Sequence, residues 1–219
     1  MKETVLYITA HPLTVEESFS LTVGKEFIDS YKINNPEANI IYLDLFKDKP
    51  PVVDADIITS RTKLFAWRRS NSDIPFQTML SDGEKEKLAK IDSIVDQFMK
   101  ADKIVFVSPM WNLTIPHALL DYLNCLLVPG KTYKYTDRGP IGLLSDKKVL
   151  HIQASGGIYS HGPAKEIEMG NRYVQTIMHF MGLTDNERLF VEGMAEMPDK
   201  ASEIKHSALI SAKKIAEEF

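Results

Sequence analysis

Apolar positions along this chain come in two alternating patterns. Short continuous runs have the length and β-branched content of buried strands: VLYIT in the 4–9 region, NIIYLDL from Asn39, IVFVS from Ile104, LHIQA from Leu150 and a shorter RLFVEG from Arg188. Between the runs the spacing becomes helical. Phe19, Val23, Phe27 and Tyr31 recur every fourth residue, and Leu88, Ile91, Val95, Phe98 and Met99 share one face. After Pro198, Ile204, Ala208, Ala212 and Ile215 carry a last helix to the end.

Strands alternating with helices of this length predict βαβ units around a mostly parallel sheet, because parallel neighbours need a long crossover. Five such strands favour the order 2-1-3-4-5 over a six-stranded dinucleotide fold. The expected architecture is α/β: a flavodoxin-like three-layer sandwich, a five-stranded parallel sheet with helices on both faces, and residues 1–219 as one domain without linker or repeat. Two segments exceed that plan. Residues 54–82, with SRTKLFAWRRSNSDIPF, set Phe65, Trp67 and Phe76 among Arg61, Arg68 and Arg69. Residues 131–146, KTYKYTDRGPIGLLSD, place Tyr133 and Tyr135 before a Gly-Pro turn and predict a short hairpin or extended lobe. Insertions of this size serve binding or assembly, or else decorate the surface.

Composition narrows the partners. A 44% hydrophobic share with 26% charged residues describes a soluble globular chain, and a net charge of −4 offers no basic footprint for nucleic acid or an anionic membrane. Neither partner is expected. The apolar run in MKETVLYITAH is too short for a signal peptide and stops at His11 and Pro12, while no stretch approaches the ~18 apolar residues of a membrane span. The expected location is cytoplasmic. Cys125 is the one cysteine, inside an apolar helical pattern, and reads as a buried inert thiol.

In open α/β sheets a ligand lies beyond the carboxyl ends of the strands, where strand order reverses. The loops there are HPLTVEESFS, PMWNLTIP and ASGGIYS. The first carries neither a dinucleotide fingerprint nor a P-loop, but His11, Ser18 and Ser20 surround the start of a helix. Backbone N–H groups, hydroxyls and the helix dipole there suit a phosphate, although Ser18 alone reads equally as an N-cap and Glu16 and Glu17 oppose an anion unless they face away. The second loop leaves its strand through Met110, Trp111, Asn112 and Leu113, and the third adds Ser155, Gly156 and Gly157. A flat ring edge-bonded by Asn112 and the glycine backbone uses these residue types, and flavin matches, since reduction places negative charge where fixed amide donors can stabilise it. No G-x-S-x-G elbow marks a hydrolase, and no His or Cys spacing marks a metal site. A receiver domain would need carboxylates where Ala10 and His11 stand.

The segments VLYITAHP, Ser18-Phe19-Ser20, VSPMWNLTIP, GKTYKYTDRGPIGLL and QASGGIYSHGPAKEIEMG together resemble the FMN-dependent NADH-azoreductases, NAD(P)H:quinone oxidoreductases of flavodoxin-like fold, and most of all those of low-GC Gram-positive bacteria. The resemblance implies that Ser18, Phe19 and Ser20 hold the FMN phosphate. It implies that Met110, Trp111, Asn112 and Leu113 carry the isoalloxazine, with residues 154–157 at its pyrimidine end. It further implies a homodimer with active sites at the subunit interface, and electron transfer from NADH or NADPH to quinones or azo compounds by a ping-pong scheme. The chemistry would lie on the flavin, with Tyr135 and Tyr159 as lid or proton-donating groups. Two departures stand out: His11 occupies a position where many relatives have serine, and Ala154-Ser155 replaces a Ser-Arg pair seen in some members. The rival expectation is a flavodoxin-type carrier that binds FMN without turning over a small substrate.

Overall fold

The computed structural model describes residues 2–70 and 73–219; Met1, and Asn71 and Ser72 of the predicted 54–82 insertion, lie outside the described residues. Its elements in chain order begin with β1 (Thr4–Thr9), α1 (Phe19–Asn34), β2 (Asn39–Asp44), α2 (Leu45–Asp48), α3 (Ala55–Ser70), α4 (Asp82–Lys100) and β3 (Lys103–Pro109). There follow α5 (His117–Leu126), β4 (Tyr133–Thr136), β5 (Gly139–Gly142), β6 (Lys148–Ser155), α6 (Gly170–Phe180), β7 (Asn186–Glu192) and α7 (Ala201–Glu218).

The main sheet runs β2-β1-β3-β6-β7 with every pair parallel. Counted along the sheet's own strands this is the 2-1-3-4-5 order that the alternation predicts. Successive strand side chains point to opposite faces, so a strand covered on both sides must be apolar throughout. Val5, Tyr7, Val105, Val107, Leu150 and Ile152 pack under α1 and α7, with Phe27, Ala212 and Phe219. Leu6, Ile8, Ile104 and Phe106 pack under α4, α5 and α6, with Phe98, Leu119 and Met178. Edge strand β2 has no fully buried residue. The fifth strand is not shorter than the rest: β7 starts at polar Asn186 and Glu187, two residues before the apolar run, and pairs with β6 along its length. Polar residues at a strand's start carry no apolar signal, which is why the sequence hides them.

The two insertions fold. In 54–82, α3 buries only Ile57 and Ser60 and leaves Phe65 64% exposed. It is tied to α4 by Lys63, whose Nζ lies 2.8 Å from the nearly buried Glu84 carboxylate. That carboxylate also completes a capping box with Ser81 at the start of α4. In 131–146, β4 and β5 form an antiparallel hairpin. Gly142 in β5 lies against the backbone of Gly182 so closely that a Cβ would fall 2.1 Å from its nitrogen, and a side chain there would lift the hairpin off α6. Cys125 is fully buried, its thiol donating to the Pro51 carbonyl, and burial pushes its pKa up to about 11. An inert thiol is the outcome.

Candidate functional site

The crest loops after β1, β3 and β6 meet in an open crevice of about 340 Å³. His11, Ser18, Phe19, Ser20, Met110, Trp111, Ser155 and Gly156 all line it, so three sequence-distant loops converge as their positions predict. Asn112, Leu113, Gly157 and Tyr159 are not in the lining itself but continue the same loops. Tyr135 is not brought there: it sits 71% exposed on the β4–β5 hairpin with its ring against Tyr133.

At the first loop, Ser18 is the N-cap of α1 and accepts the Leu21 N–H at 3.3 Å, while its hydroxyl lies 3.1 Å from that of Ser20. Both serines are buried. The N–H groups of Phe19 and Ser20 find no acceptor among the described residues, as expected at a helix start where only one donor is capped. His11 Nδ1 accepts the Leu13 N–H at 3.1 Å, which leaves the proton on Nε2. Burial lowers the pKa of His11, against a smaller opposite pull from Glu17, so at neutral pH it is an imidazole that closes its own loop. Glu17 turns back to Thr14, accepting from both its N–H and its hydroxyl, and these bonds lower its pKa.

At the second loop the chain makes a tight turn. Trp111 and Thr114 exchange both backbone bonds, at 2.9 and 3.1 Å, and the two residues between them have positive φ, 49° at Asn112 and 70° at Leu113. Such a turn suits Asn and strains Leu, at a cost of about 1–2 kcal/mol. The strain is held from both sides: the Met110 N–H continues the ladder to the Ala154 carbonyl at 2.7 Å, and the Leu113 carbonyl accepts the Met169 N–H at 3.0 Å. Trp111 is 40% exposed, edge-on to His11 with centroids 5.3 Å apart. The N–H groups of Asn112 and Leu113 also find no acceptor among the described residues.

Behind this turn, β6 turns polar on its α6 side. Buried His151 lies between the Ser108 hydroxyl at 3.0 Å and the Asn171 side chain at 3.1 Å, and burial drives its pKa down to about 4. Gln153 donates to the buried Glu168 carboxylate at 3.0 Å, which also caps α6 through the Asn171 and Arg172 N–H groups.

The third loop is tied to itself. Ser155 Oγ donates to the Gly157 carbonyl at 3.0 Å, so its hydroxyl is engaged, whereas the Gly156 and Gly157 N–H groups find no acceptor among the described residues. Gly156 packs against the β7–α7 loop, where a Cβ would meet Ala195 at 2.9 Å. Glu192 accepts the N–H groups of Tyr159 and Ser160, and Glu196 that of Ile158. Met194 and Ala195 complete the crevice wall. Sequence reasoning passes over these four residues, although GMAEMP is itself a crest loop after the fifth strand and could have been read as one.

Electrostatically, the lining holds no Lys or Arg among the described residues. Glu17 also lines it, its carboxylate accepting from Thr14, so an anion there would meet helix-end dipoles, hydroxyls, a neutral imidazole and one carboxylate engaged with its own loop. A flat ring with acceptors along one edge would meet Trp111 and the unengaged amides. No His, Cys, Asp or Glu cluster suited to a metal ion occurs among the described residues.

A family model described as flavodoxin-like fold matches residues 3–215. The chain is 49% identical to an FMN-dependent NADH:quinone oxidoreductase of Geobacillus kaustophilus over 98% of this chain and 99% of that one. It belongs to the flavodoxin-like family of FMN-dependent NADH:quinone oxidoreductases. It is also 45% identical to FMN-dependent NADH:quinone oxidoreductase 2 of Bacillus subtilis, over 98% of this chain and 99% of that one. Among solved structures, an azoreductase from Bacillus anthracis superposes with a TM-score of 0.89 at 39% identity, covering 99% of this chain and all of the other. An FMN-dependent NADH-azoreductase of the same species, solved with FMN, gives 0.87 at 26% identity, covering 100% of this chain and 99% of that one. These family members come from the group of bacteria to which the sequence motifs point.

Proposed function

We propose that this protein passes electrons from NADH or NADPH to quinones and reductively cleaves aromatic azo compounds, using FMN in a ping-pong sequence. The observation that carries the reading is the set of crest amides without an acceptor among the described residues, in pairs on three loops, beside an exposed tryptophan. FMN, when bound, takes up two electrons as a hydride and hands them on, so no protein nucleophile is required.

The residues take their roles from position. Ser18 and Ser20 hydroxyls, the Phe19 and Ser20 N–H groups and His11 Nε2–H hold the phosphate without a cation. Met110 and Trp111 support the ring, while Asn112, Leu113 and the Gly156 and Gly157 amides face its polar edge and stabilise charge that develops there. Ser155, already bonded to its own loop, acts by shaping that loop. Tyr159 stands at the loop margin as a lid or proton donor. Exposed apolar side chains on the segments flanking the crevice, including Leu113, Ile167 and Met169, together with Ile58 and Phe65 on α3, support a homodimer that covers each site from the second subunit. No helix among the described residues is long and apolar enough to cross a membrane, and a cytoplasmic location is proposed.

Purified protein is expected to be yellow, to bleach anaerobically with NADH, and to oxidise NADH with a quinone in parallel double-reciprocal lines. Intersecting lines would reject the ping-pong sequence. Tight FMN binding without NADH oxidation across several quinones would instead support the carrier.

A further inference from the structure

A second and larger hollow lies on the other side of His11. It has a volume of about 750 Å³, within the usual size of small-molecule sites, and is formed by the 11–16 loop, the flank of α1, β1 and the β2–α2 corner. Leu21 and Ile28 make an apolar floor, and Tyr42 and Phe46 supply aromatic walls. The charges at its margin cancel in pairs: Lys25 with Asp29, and Lys47 with Asp44 at 3.0 Å. Glu16, exposed, has no ion-pair partner among the described residues, so the hollow disfavours anions.

Of the hydroxyls that line it, that of Tyr7 belongs to the most buried residue. Tyr7, only 5% exposed, lines the hollow, and its hydroxyl makes no hydrogen bond to any described residue. Its ring meets Tyr42 edge-on at 5.6 Å, and burial raises its pKa, so it remains a neutral donor. Gly24 of α1 stands opposite without a side chain; a Cβ there would fall 2.6 Å from the Tyr7 oxygen. The Tyr7 hydroxyl is not among the fully buried polar atoms without a partner, so it opens onto the hollow, where a ligand group can take the place of water as its partner.

We propose that this hollow is a second small-molecule site, distinct from the crest crevice, for a neutral planar aromatic bearing one hydroxyl or amino group that bonds to the Tyr7 hydroxyl. Tyr42 and Phe46 supply ring contacts. Hydroquinones and aromatic amines, the two product classes of the proposed reaction, belong to this chemical class; that assignment rests on the proposed function, while the binding itself does not. His11 is a wall of both spaces, which puts a bound product beside the crevice without blocking it.

The test is titration of the FMN-loaded protein with 1-naphthol, which is neutral and redox-inert toward NADH, followed by protein NMR. Saturable binding below about 1 mM is expected. Tyr7→Phe should weaken it about fivefold and Tyr42→Ala, on the surface, about five- to tenfold, with Trp111→Ala leaving it unchanged. Naphthalene-1-sulfonate should bind at least tenfold more weakly. Absence of binding, binding as tight as the parent's in both tyrosine variants, or loss in Trp111→Ala would overturn the proposal. None of these readouts uses turnover, so a failure of the proposed reaction would be seen separately.

Discussion

The entrance to α1 and the turn after β3 face the same crevice and are incomplete in opposite ways. At α1 the side chains are small and buried, and backbone donors lack acceptors among the described residues: Ser18 and Ser20 are 5% and 0% exposed, with the Phe19 and Ser20 amides behind them. At the β3 turn a large ring lies uncovered on a strained backbone, Trp111 at 40% exposure and Leu113 at φ 70°. The first deficit calls for an anion; the second calls for a flat surface. A ligand that ends in a phosphate at one pole and a ring at the other removes both, and no lysine or arginine is needed in between.

The comparison can be broken at either pole. The largest effect is expected from Ser18→Ala with Ser20→Ala: FMN affinity, read by quenching of flavin fluorescence, should fall at least about 100-fold, since hydrogen bonds to a charged group contribute about 1.5–3 kcal/mol each. Riboflavin, which has no phosphate, should bind the variant and the parent alike; equal losses for both ligands would place the phosphate elsewhere.

Next comes the support under the turn. Burial holds the folded pKa of His151 at about 4, below its unfolded value of 6.5. Its contribution is therefore complete above pH 6.5 and is lost as pH falls toward 4, because the unfolded chain takes up the proton and the folded one refuses it. Denaturant titrations should show about 3 kcal/mol of stability lost over that window, and His151→Gln should flatten this part of the profile. At the α1 pole burial lowers the pKa of His11 in the same direction, so its contribution is lost in the same sense as pH falls.

Trp111→Ala should weaken FMN and riboflavin together by about tenfold, the reverse of the serine pattern. The smallest change expected is a gain. Leu113→Asn relieves the left-handed strain at an exposed position and should raise stability by about 0.5 kcal/mol in thermal melts. No change or a loss would mean that the leucine side chain contributes more than its backbone strain costs.

The layout of the sheet was legible because both faces of β1, β3 and β6 are buried, and that leaves continuous apolar runs in the sequence. The site was legible only as residue types. Ser18, Ser20, Trp111 and Asn112 announce donors and a flat ring, but nothing in PMWNLTIP says that Asn112 and Leu113 both take positive φ, since leucine there runs against local preference and is held by the Met110 and Met169 bonds. Glu192 and Glu196 were hidden for another reason. They hold loop 156–160 through backbone N–H groups across more than thirty residues of chain, at separations of 33 and 38 for Tyr159 and Ile158, and such bonds leave no periodicity to read. Tyr135 carried a plausible chemistry and landed on the exterior, because the hairpin that bears it folds onto α6, away from the crest.

The central claim concerns unengaged amides, and amide chemical shifts observe them directly. In an ¹⁵N-resolved titration with FMN, the largest changes should fall on Phe19, Ser20, Asn112, Leu113, Gly156 and Gly157. Saturation with FMN while the Phe19, Ser20, Gly156 and Gly157 signals stay in place would contradict the account.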